Sequence, residues 1–199
     1  MGLRLVQFAL IVAGPPCSMF IFLSSSQHQR HIWGPCGNPF DRATQLANLI
    51  ASNTVVFLRI IKQVRVAWVV LEQPRGSWLL KLPAAVALSS ELQLGRVSTH
   101  MCFWGHQLEK ATVLVGDLPN LSALHRRMTK GMRRKMQRAH KTHPPMWVRD
   151  ARGKVHGAPR LAQSAVYPRR FCNDLALLWK RAFVSHLLQR CLAHVARGR

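Results

Sequence analysis

Three short apolar runs, each ended by turn-forming residues, stand out along the chain. The runs are residues 6–12, 66–71 and 112–115. They are followed by strand-ending residues at Gly14-Pro15-Pro16, Pro74 and Gly116-Asp117. Because proline cannot donate to a strand ladder and β-forming residues dominate the runs, the pattern predicts three buried strands of the kind found in parallel sheets.

The stretch between the first two strands has the apolar spacing of a helix. Its apolar positions are Leu46, Leu49, Ile50, Val56, Phe57, Ile60 and Ile61. Asp41 is placed to cap the helix, and the polar Ser52-Asn53-Thr54 sequence predicts a kink or a break within it. A weaker helix lies between the second and third strands. Alternating strands and helices predict an α/β fold with a partial, Rossmann-like parallel sheet.

The second half predicts a basic, mostly helical segment. Residues 121–141 are expected to be helical in their first half, weakened by Gly131 and ended by His143-Pro144-Pro145. Residues 173–195 read as an amphipathic helix that docks on the sheet or on a partner. The predicted organisation is an α/β core at 1–120, a basic linker or arm at 121–170 and a C-terminal helix at 171–199.

Charge adds a partner to this picture. The chain has 29 Lys and Arg against seven acids, a formal net charge of +22. Residues 125–170 hold fourteen Lys and Arg with Asp150 as their only acid, which favours a polyanion, either nucleic acid or an anionic membrane surface. The family resemblance given below implies DNA rather than RNA. The candidate phosphate-binding residues are Arg126, Arg127, Lys130, Arg133, Arg134, Lys135 and Arg138. A solvated basic tail is the alternative.

Two further features bear on this segment. Met128, Met132 and Met136 recur every four residues, which favours packing over binding and leaves too thin an apolar face for a membrane helix. Trp147, Tyr167 and Phe171 are interleaved with arginines, a mixture that suits backbone contacts with occasional base stacking. No membrane partner is expected.

The N-terminus and the cysteines bear on the compartment. Arg4, the apolar residues 5–12 and the small residues before Pro15 resemble a signal peptide, but proline directly after the cleavage point disfavours processing. Five widely spaced cysteines without a CxxC pair favour a reducing compartment. We therefore expect a nuclear or cytoplasmic protein, with secretion as the alternative. Cys102 and His106 have no second ligand pair, so no metal is predicted.

The strand ends carry motifs of one family. Gly14-Pro15-Pro16-Cys17 follows the first strand, and Glu72-Gln73-Pro74 follows the second. Lys110 and the run ending at Gly116 loosely match a third motif. Over residues 5–116 the chain resembles the catalytic part of DNA (cytosine-5) methyltransferases, in divergent and N-terminally truncated form.

The resemblance implies roles for six residues. Cys17 would supply the thiolate that adds to C6 of a flipped-out cytosine, and Glu72 would hydrogen-bond the ring nitrogen and the exocyclic amine. Pro15, Pro16, Gln73 and Lys110 would contact the substrate. The implied methyl donor is S-adenosylmethionine.

The family's glycine-rich cofactor loop has no counterpart before Gly14. Either a partner chain completes the cofactor site, or the protein is inactive as a methyltransferase. The alternative function is a non-catalytic, basic nucleic-acid-binding protein.

Overall fold

The computed structural model describes residues 7–64, 67–139, 147–151, 153, 155–157 and 165–197. The strands are β1 (Leu10–Ala13), β2 (Trp68–Pro74), β3 (Gly95–His100), β4 (Ala111–Gly116), β5 (Trp147–Arg149) and β6 (Val155–Gly157). The helices are α1 (Phe22–Ser25), α2 (Arg42–Val64), α3 (Pro83–Glu91), α4 (Lys130–Ala139) and α5 (Arg169–Arg197). Short 3₁₀ turns cover Trp78–Lys81, Met101–Trp104 and Leu121–Leu124. The protein is a mixed α/β fold.

The main sheet has four strands in the order β1-β2-β4-β3. β1 and β2 are parallel, as the sequence predicts, but β4 pairs antiparallel with both β2 and β3. The prediction of a parallel sheet is therefore wrong for the third apolar run. Ten residues separate β3 from β4, and such a link is too short for the crossover that parallel strands require.

Helices cover both faces of this sheet. One apolar cluster joins α2 and α3 to side chains such as Val69 and Val113. The other joins α5 and two of the 3₁₀ turns to Val70 and Leu114 on the opposite face. Since side chains alternate along a strand, β2 and β4 contribute to both cores, which explains their nearly continuous apolar sequences.

The helix α2 begins at a side-chain cap and runs as a single unit. Asp41 accepts hydrogen bonds from the backbone amides of Ala43 (3.3 Å) and Thr44 (3.1 Å), so the predicted cap is confirmed. The pKa of Asp41 is lowered to about 2, mainly by its hydrogen bond with the Thr44 hydroxyl and next by its hydrogen bond with His28. The predicted break is absent, because the Thr54 hydroxyl donates to the Ile50 carbonyl at 2.9 Å within an uninterrupted helix.

The face that α2 buries is not the one that the apolar spacing indicates. The buried residues are Thr44, Ala47, Ala51, Val55, Leu58 and Ile61. Of the predicted apolar positions, Ile61 alone is buried, while the other six are between 38% and 57% exposed. Small side chains therefore pack on the sheet, and a second apolar stripe faces solvent.

The segment after β4 also differs from its prediction. Residues 121–124 form a 3₁₀ turn, and the helix α4 occupies the second half of the expected stretch, from Lys130 to Ala139. Met128 is buried, but Met132 is 41% exposed, so the methionine spacing does not mark one packed stripe. Phe171, expected in an extended arm, is 3% exposed and packs in the core under α5.

Candidate functional site

The ends of β1 and β2 place the two family motifs side by side. Ala13 is the register partner of Leu71, so Gly14 and Glu72 are the next positions on neighbouring parallel strands. Beyond β1 the chain turns, and the amide of Phe20 donates to the carbonyl of Cys17 at 2.8 Å. Cys17 lies four residues beyond the end of β1, and Glu72 lies inside β2 beside the Gly-Pro-Pro turn. That their side chains form one site stays a prediction.

Glu72 is a buried carboxylate with two different partners. Its side chain is 8% exposed. The Tyr167 hydroxyl donates to Oε2 at 2.6 Å, and the Lys110 ammonium lies 3.9 Å from Oε1. Oε1 accepts no hydrogen bond from any described residue. A buried acceptor without a hydrogen-bond donor is costly, and the ion pair with Lys110 is the one charged contact of this oxygen among the described residues.

Tyr167 closes the site from the start of α5. The Lys110 ammonium lies 4.4 Å from the centre of the Tyr167 ring, and Phe171 stacks on that ring with a centroid distance of 6.1 Å. A Cβ atom added at Gly14 would lie 2.8 Å from the Tyr167 hydroxyl. The glycine of the Gly-Pro-Pro motif therefore provides the space in which the tyrosine reaches Glu72.

The Cys17 thiol is electrostatically coupled to this cluster. Burial raises the pKa of Cys17, and the Glu72 carboxylate raises it further, while the Lys110 ammonium and the backbone amide of Cys17 lower it. The net effect is a raised pKa. Because the thiolate is the nucleophilic form, the site in this state holds a protonated thiol.

Gln73 acts on the opposite face of the sheet from Glu72. It is fully buried, its Nε2 donates to the Pro15 carbonyl at 2.9 Å, and its Oε1 accepts from the Ser77 hydroxyl at 2.8 Å. Gln73 thus ties the Gly-Pro-Pro turn to the segment after β2, and both of these bonds lead away from the Glu72 carboxylate. Pro15 is buried beneath the same turn, and Pro16 is exposed.

A cavity lies beside the Glu72 carboxylate, between the sheet and α5. Its volume is about 490 Å³. Its walls include Val12, Glu72, Tyr167, Phe171, Cys172 and Trp179. A largely apolar cavity with aromatic walls and one carboxylate suits a flat ring that carries a hydrogen-bond donor.

The predicted phosphate-binding residues lie along and just before α4. Arg127, Lys130, Arg134, Lys135 and Arg138 are exposed. Arg126 is exposed as well, and its guanidinium lies 5.3 Å from the centre of the Trp104 ring. Arg133 is half-buried and forms a bidentate pair with Glu109, with a shortest distance of 2.7 Å. Six of the seven candidates are thus exposed to solvent, where an external polyanion could reach them.

The part of the chain that the structure describes contains no group of three or more His, Cys, Asp or Glu side chains able to hold a metal ion. Within that same part, α2 is the one helix whose length and hydropathy would allow a membrane span.

Sequence reasoning did not find Tyr167 as a site residue. It lies 95 positions from Glu72, in a segment whose composition indicates an extended arm. The available signal was the physical requirement that a carboxylate at the end of a buried strand must have a partner. That requirement predicts a donor without identifying which one.

No family model, curated protein or solved structure matches the chain. The functional argument therefore depends on the site itself and on the motif resemblance.

Proposed function

We propose that the chain is a divergent relative of DNA (cytosine-5) methyltransferases that keeps the pyrimidine-binding part of the site and binds nucleic acid. The observation that carries the proposal is that the buried Glu72 carboxylate on β2 lies beside the Gly14-Pro15-Pro16-Cys17 turn that follows the parallel strand β1, and that it raises the pKa of the Cys17 thiol. Fold support comes from the β1-α2-β2 unit, which is typical of Rossmann-like sheets. The antiparallel β4 adds nothing to that support, which is confined to the first two strands.

The proposed chemistry is addition of the Cys17 thiolate to C6 of a cytosine ring. The exocyclic amine donates to one oxygen of Glu72, and the ring nitrogen takes up the proton released by the Cys17 thiol and donates to the other oxygen, while C5 becomes nucleophilic and takes a proton from water. The hydroxide left by this water removes the original C5 hydrogen, the thiolate departs, and the ring nitrogen returns its proton, which restores the base. The net result is exchange of the C5 hydrogen with solvent, with no other bond changed.

Two features of the structure set conditions for this step. The Tyr167 hydroxyl occupies Glu72 Oε2, so it has to leave for a ring nitrogen and an amine to engage both carboxylate oxygens. Hydrogen bonds from the exocyclic amine and from the protonated ring nitrogen to Glu72 also offset the negative charge that raises the pKa of Cys17. Substrate binding and thiolate formation are therefore coupled in the proposal.

The described residues do not fit S-adenosylmethionine. Acidic side chains commonly hold ribose hydroxyls in Rossmann-like sites. The cavity beside α5 contains one acid, Glu72, which is already bonded to Tyr167. The proposed chemistry of this chain therefore stops at C5 hydrogen exchange, and methyl transfer would require a partner chain that supplies the cofactor half.

The test is release of tritium from DNA containing 5-tritiated cytosine. We expect release with the wild type, loss with Cys17→Ala, and retention with Cys36→Ala, which removes an exposed cysteine outside the site. Glu72→Gln should reduce release strongly. A second arm uses 5-fluorocytosine DNA with S-adenosylmethionine and looks for a covalent complex that requires Cys17. Wild-type protein that binds DNA without release or adduct would exclude the enzymatic proposal.

The second candidate function is nucleic-acid binding without chemistry. The raised pKa of Cys17 and the exposed basic residues near α4 favour it. The logarithm of the binding constant should fall linearly with the logarithm of salt concentration, with a slope of about −0.9 per neutralised phosphate. Lys135→Ala should reduce that slope by about 1. Arg59→Ala, which removes an α2 side chain already paired with Glu91, should leave the slope unchanged.

A further inference from the structure

The strand β1 is an open edge of the main sheet. It pairs with β2 alone among the described strands. The amide of Trp68 donates to the carbonyl of Ala9 at 2.9 Å. Backbone groups of successive strand residues point to opposite sides, so those of Leu10 and Val12 point away from β2. An edge of this kind is a template for another polypeptide strand.

A groove runs along this edge between β1 and α2. Its volume is about 500 Å³, and it is lined by β1, the Gly-Pro-Pro turn and one side of α2. Ile11, Val12, Ile50 and Phe57 supply apolar walls, and none of the residues lining the groove is charged. The groove thus extends the open backbone edge into an apolar surface.

The solvent-facing stripe of α2 continues the groove along the whole helix. Its residues recur at helical spacing and comprise Leu46, Leu49, Ile50, Val56, Phe57, Ile60 and Val64, each at least 38% exposed. The stripe is interrupted only by the polar Asn53 and Thr54, which line the groove, and an exposed apolar surface of this extent is uncommon without a partner. The two charged residues nearest its C-terminal half, Arg59 and Lys62, are paired with Glu91 and Asp117.

The chemistry of the surface distinguishes among possible occupants. Nucleic acid is disfavoured because its sugar-phosphate backbone cannot continue the ladder of amide and carbonyl groups that the open strand presents. Lipid is disfavoured because acyl chains cannot pair with the backbone groups of an open strand. A second copy would bring another net charge of +22 towards the first, which opposes association, whereas an acidic polypeptide gains from the same field.

We propose that the β1 edge and the exposed stripe of α2 form one docking surface for an acidic partner polypeptide. The partner adds a β-strand beside Leu10–Ala13 and packs apolar side chains on the stripe. This inference rests on the sheet edge and the helix face, and it holds whether or not the Cys17 site is catalytic.

The test uses short peptides that alternate apolar and acidic positions, displayed on phage and selected on the full chain. Selected peptides should slow hydrogen exchange at the amides of Leu10 and Val12, which point outward. Val12→Pro removes one of these donors without touching the β2 ladder, as an edge strand tolerates. It should weaken binding about tenfold, the effect of leaving one peptide acceptor unpaired. Val12→Thr is the matched control and should bind as the wild type does.

A second variant keeps the result interpretable if Val12→Pro fails to fold. Phe57→Ser lies on the exposed stripe and should weaken binding, while Leu192→Ser, on the exposed surface of α5, should not. The proposal is overturned if no peptide is selected, or if selected peptides bind the Val12→Pro and Phe57→Ser proteins as well as the wild type. Concentration-dependent self-association or binding to anionic lipid vesicles through the same residues would also overturn it.

Discussion

The bond between Tyr167 and Glu72 provides the sharpest test of the site's geometry. Tyr167→Phe removes the hydroxyl but keeps the ring that stacks on Phe171 and faces the Lys110 ammonium. The change leaves Glu72 Oε2 without its donor at 2.6 Å, beside an Oε1 that already lacks one. Hydrogen bonds to charged groups contribute about 1.5–3 kcal/mol. For a chain of this size that corresponds to a fall in melting temperature of about 3–12 °C.

The assay is a double-mutant cycle with Glu72→Gln, followed by thermal and urea unfolding of all four proteins. If the two side chains bond as described, the single changes should couple by about 1–3 kcal/mol. Circular dichroism of the folded proteins should stay unchanged. Additive effects, or a Tyr167→Phe protein that melts within about 1 °C of the wild type, would refute the buried carboxylate–hydroxyl bond.

Three further predictions address the titration, the thiol and the packing of the fold. Tyr167 is the only tyrosine in the chain, and burial, followed by its bond to Glu72, raises its pKa above the ordinary value. Tyrosinate absorbance should therefore appear near pH 10 in denaturant but not in the folded protein. Folding stability should fall as pH rises above about 10. Equal titration of the tyrosine in both states would contradict this prediction. Burial and the Glu72 carboxylate raise the pKa of Cys17, so Glu72→Gln should speed the alkylation of Cys17 at neutral pH, as followed by mass spectrometry. An unchanged alkylation rate would exclude the electrostatic effect of Glu72 on Cys17. Gly116→Ala would place a Cβ against the Val69 carbonyl and should lower the free energy of unfolding in urea by about 1–3 kcal/mol. The control Gly76→Ala, whose Cβ would meet nothing within 4 Å, should leave the free energy of unfolding nearly unchanged. Similar losses in the two variants would refute the tight packing at Gly116.

The sequence allowed the position of the Gly-Pro-Pro turn beside β2 to be predicted because the rule behind it is local and strict. The roles of Cys17 and Glu72 stay predictions. A short apolar run ended by Gly-Pro-Pro marks a strand end, and parallel strands place their carboxyl ends at one edge of the sheet. The parallel register of β1 and β2 follows from the helix that joins them. These two facts suffice to place the Gly-Pro-Pro turn beside β2, without knowledge of the rest of the sheet.

The remainder of the sheet depends on interactions that local pattern does not encode. The strand β3 has the sequence GRVSTH, whose polar residues conceal it. Thr99 and His100 are buried there, and Nδ1 of His100 is hydrogen-bonded to the carbonyl of Arg126 at 2.9 Å. Without β3, the third apolar run has no antiparallel partner, and it is read as another parallel strand.

The two apolar faces of α2 could not be ranked from the sequence either. Both faces of the helix carry large apolar side chains, yet the buried face is the one that also holds Thr44, Ala47 and Ala51. Which face is buried depends on how closely two elements approach, and that distance is a property of the assembled fold.

The position of β4 has a consequence during synthesis. It lies between β2 and β3 but is the last of the four strands to be made. At about 5–20 residues per second, the roughly forty residues between β2 and β4 take about 2–8 s to emerge from the ribosome. For that interval β2, apolar on both faces, has a free edge where its final neighbour belongs. Nascent chains of this protein should therefore engage chaperones most strongly before β4 emerges, and stalling synthesis just before or just after β4 would reveal the difference.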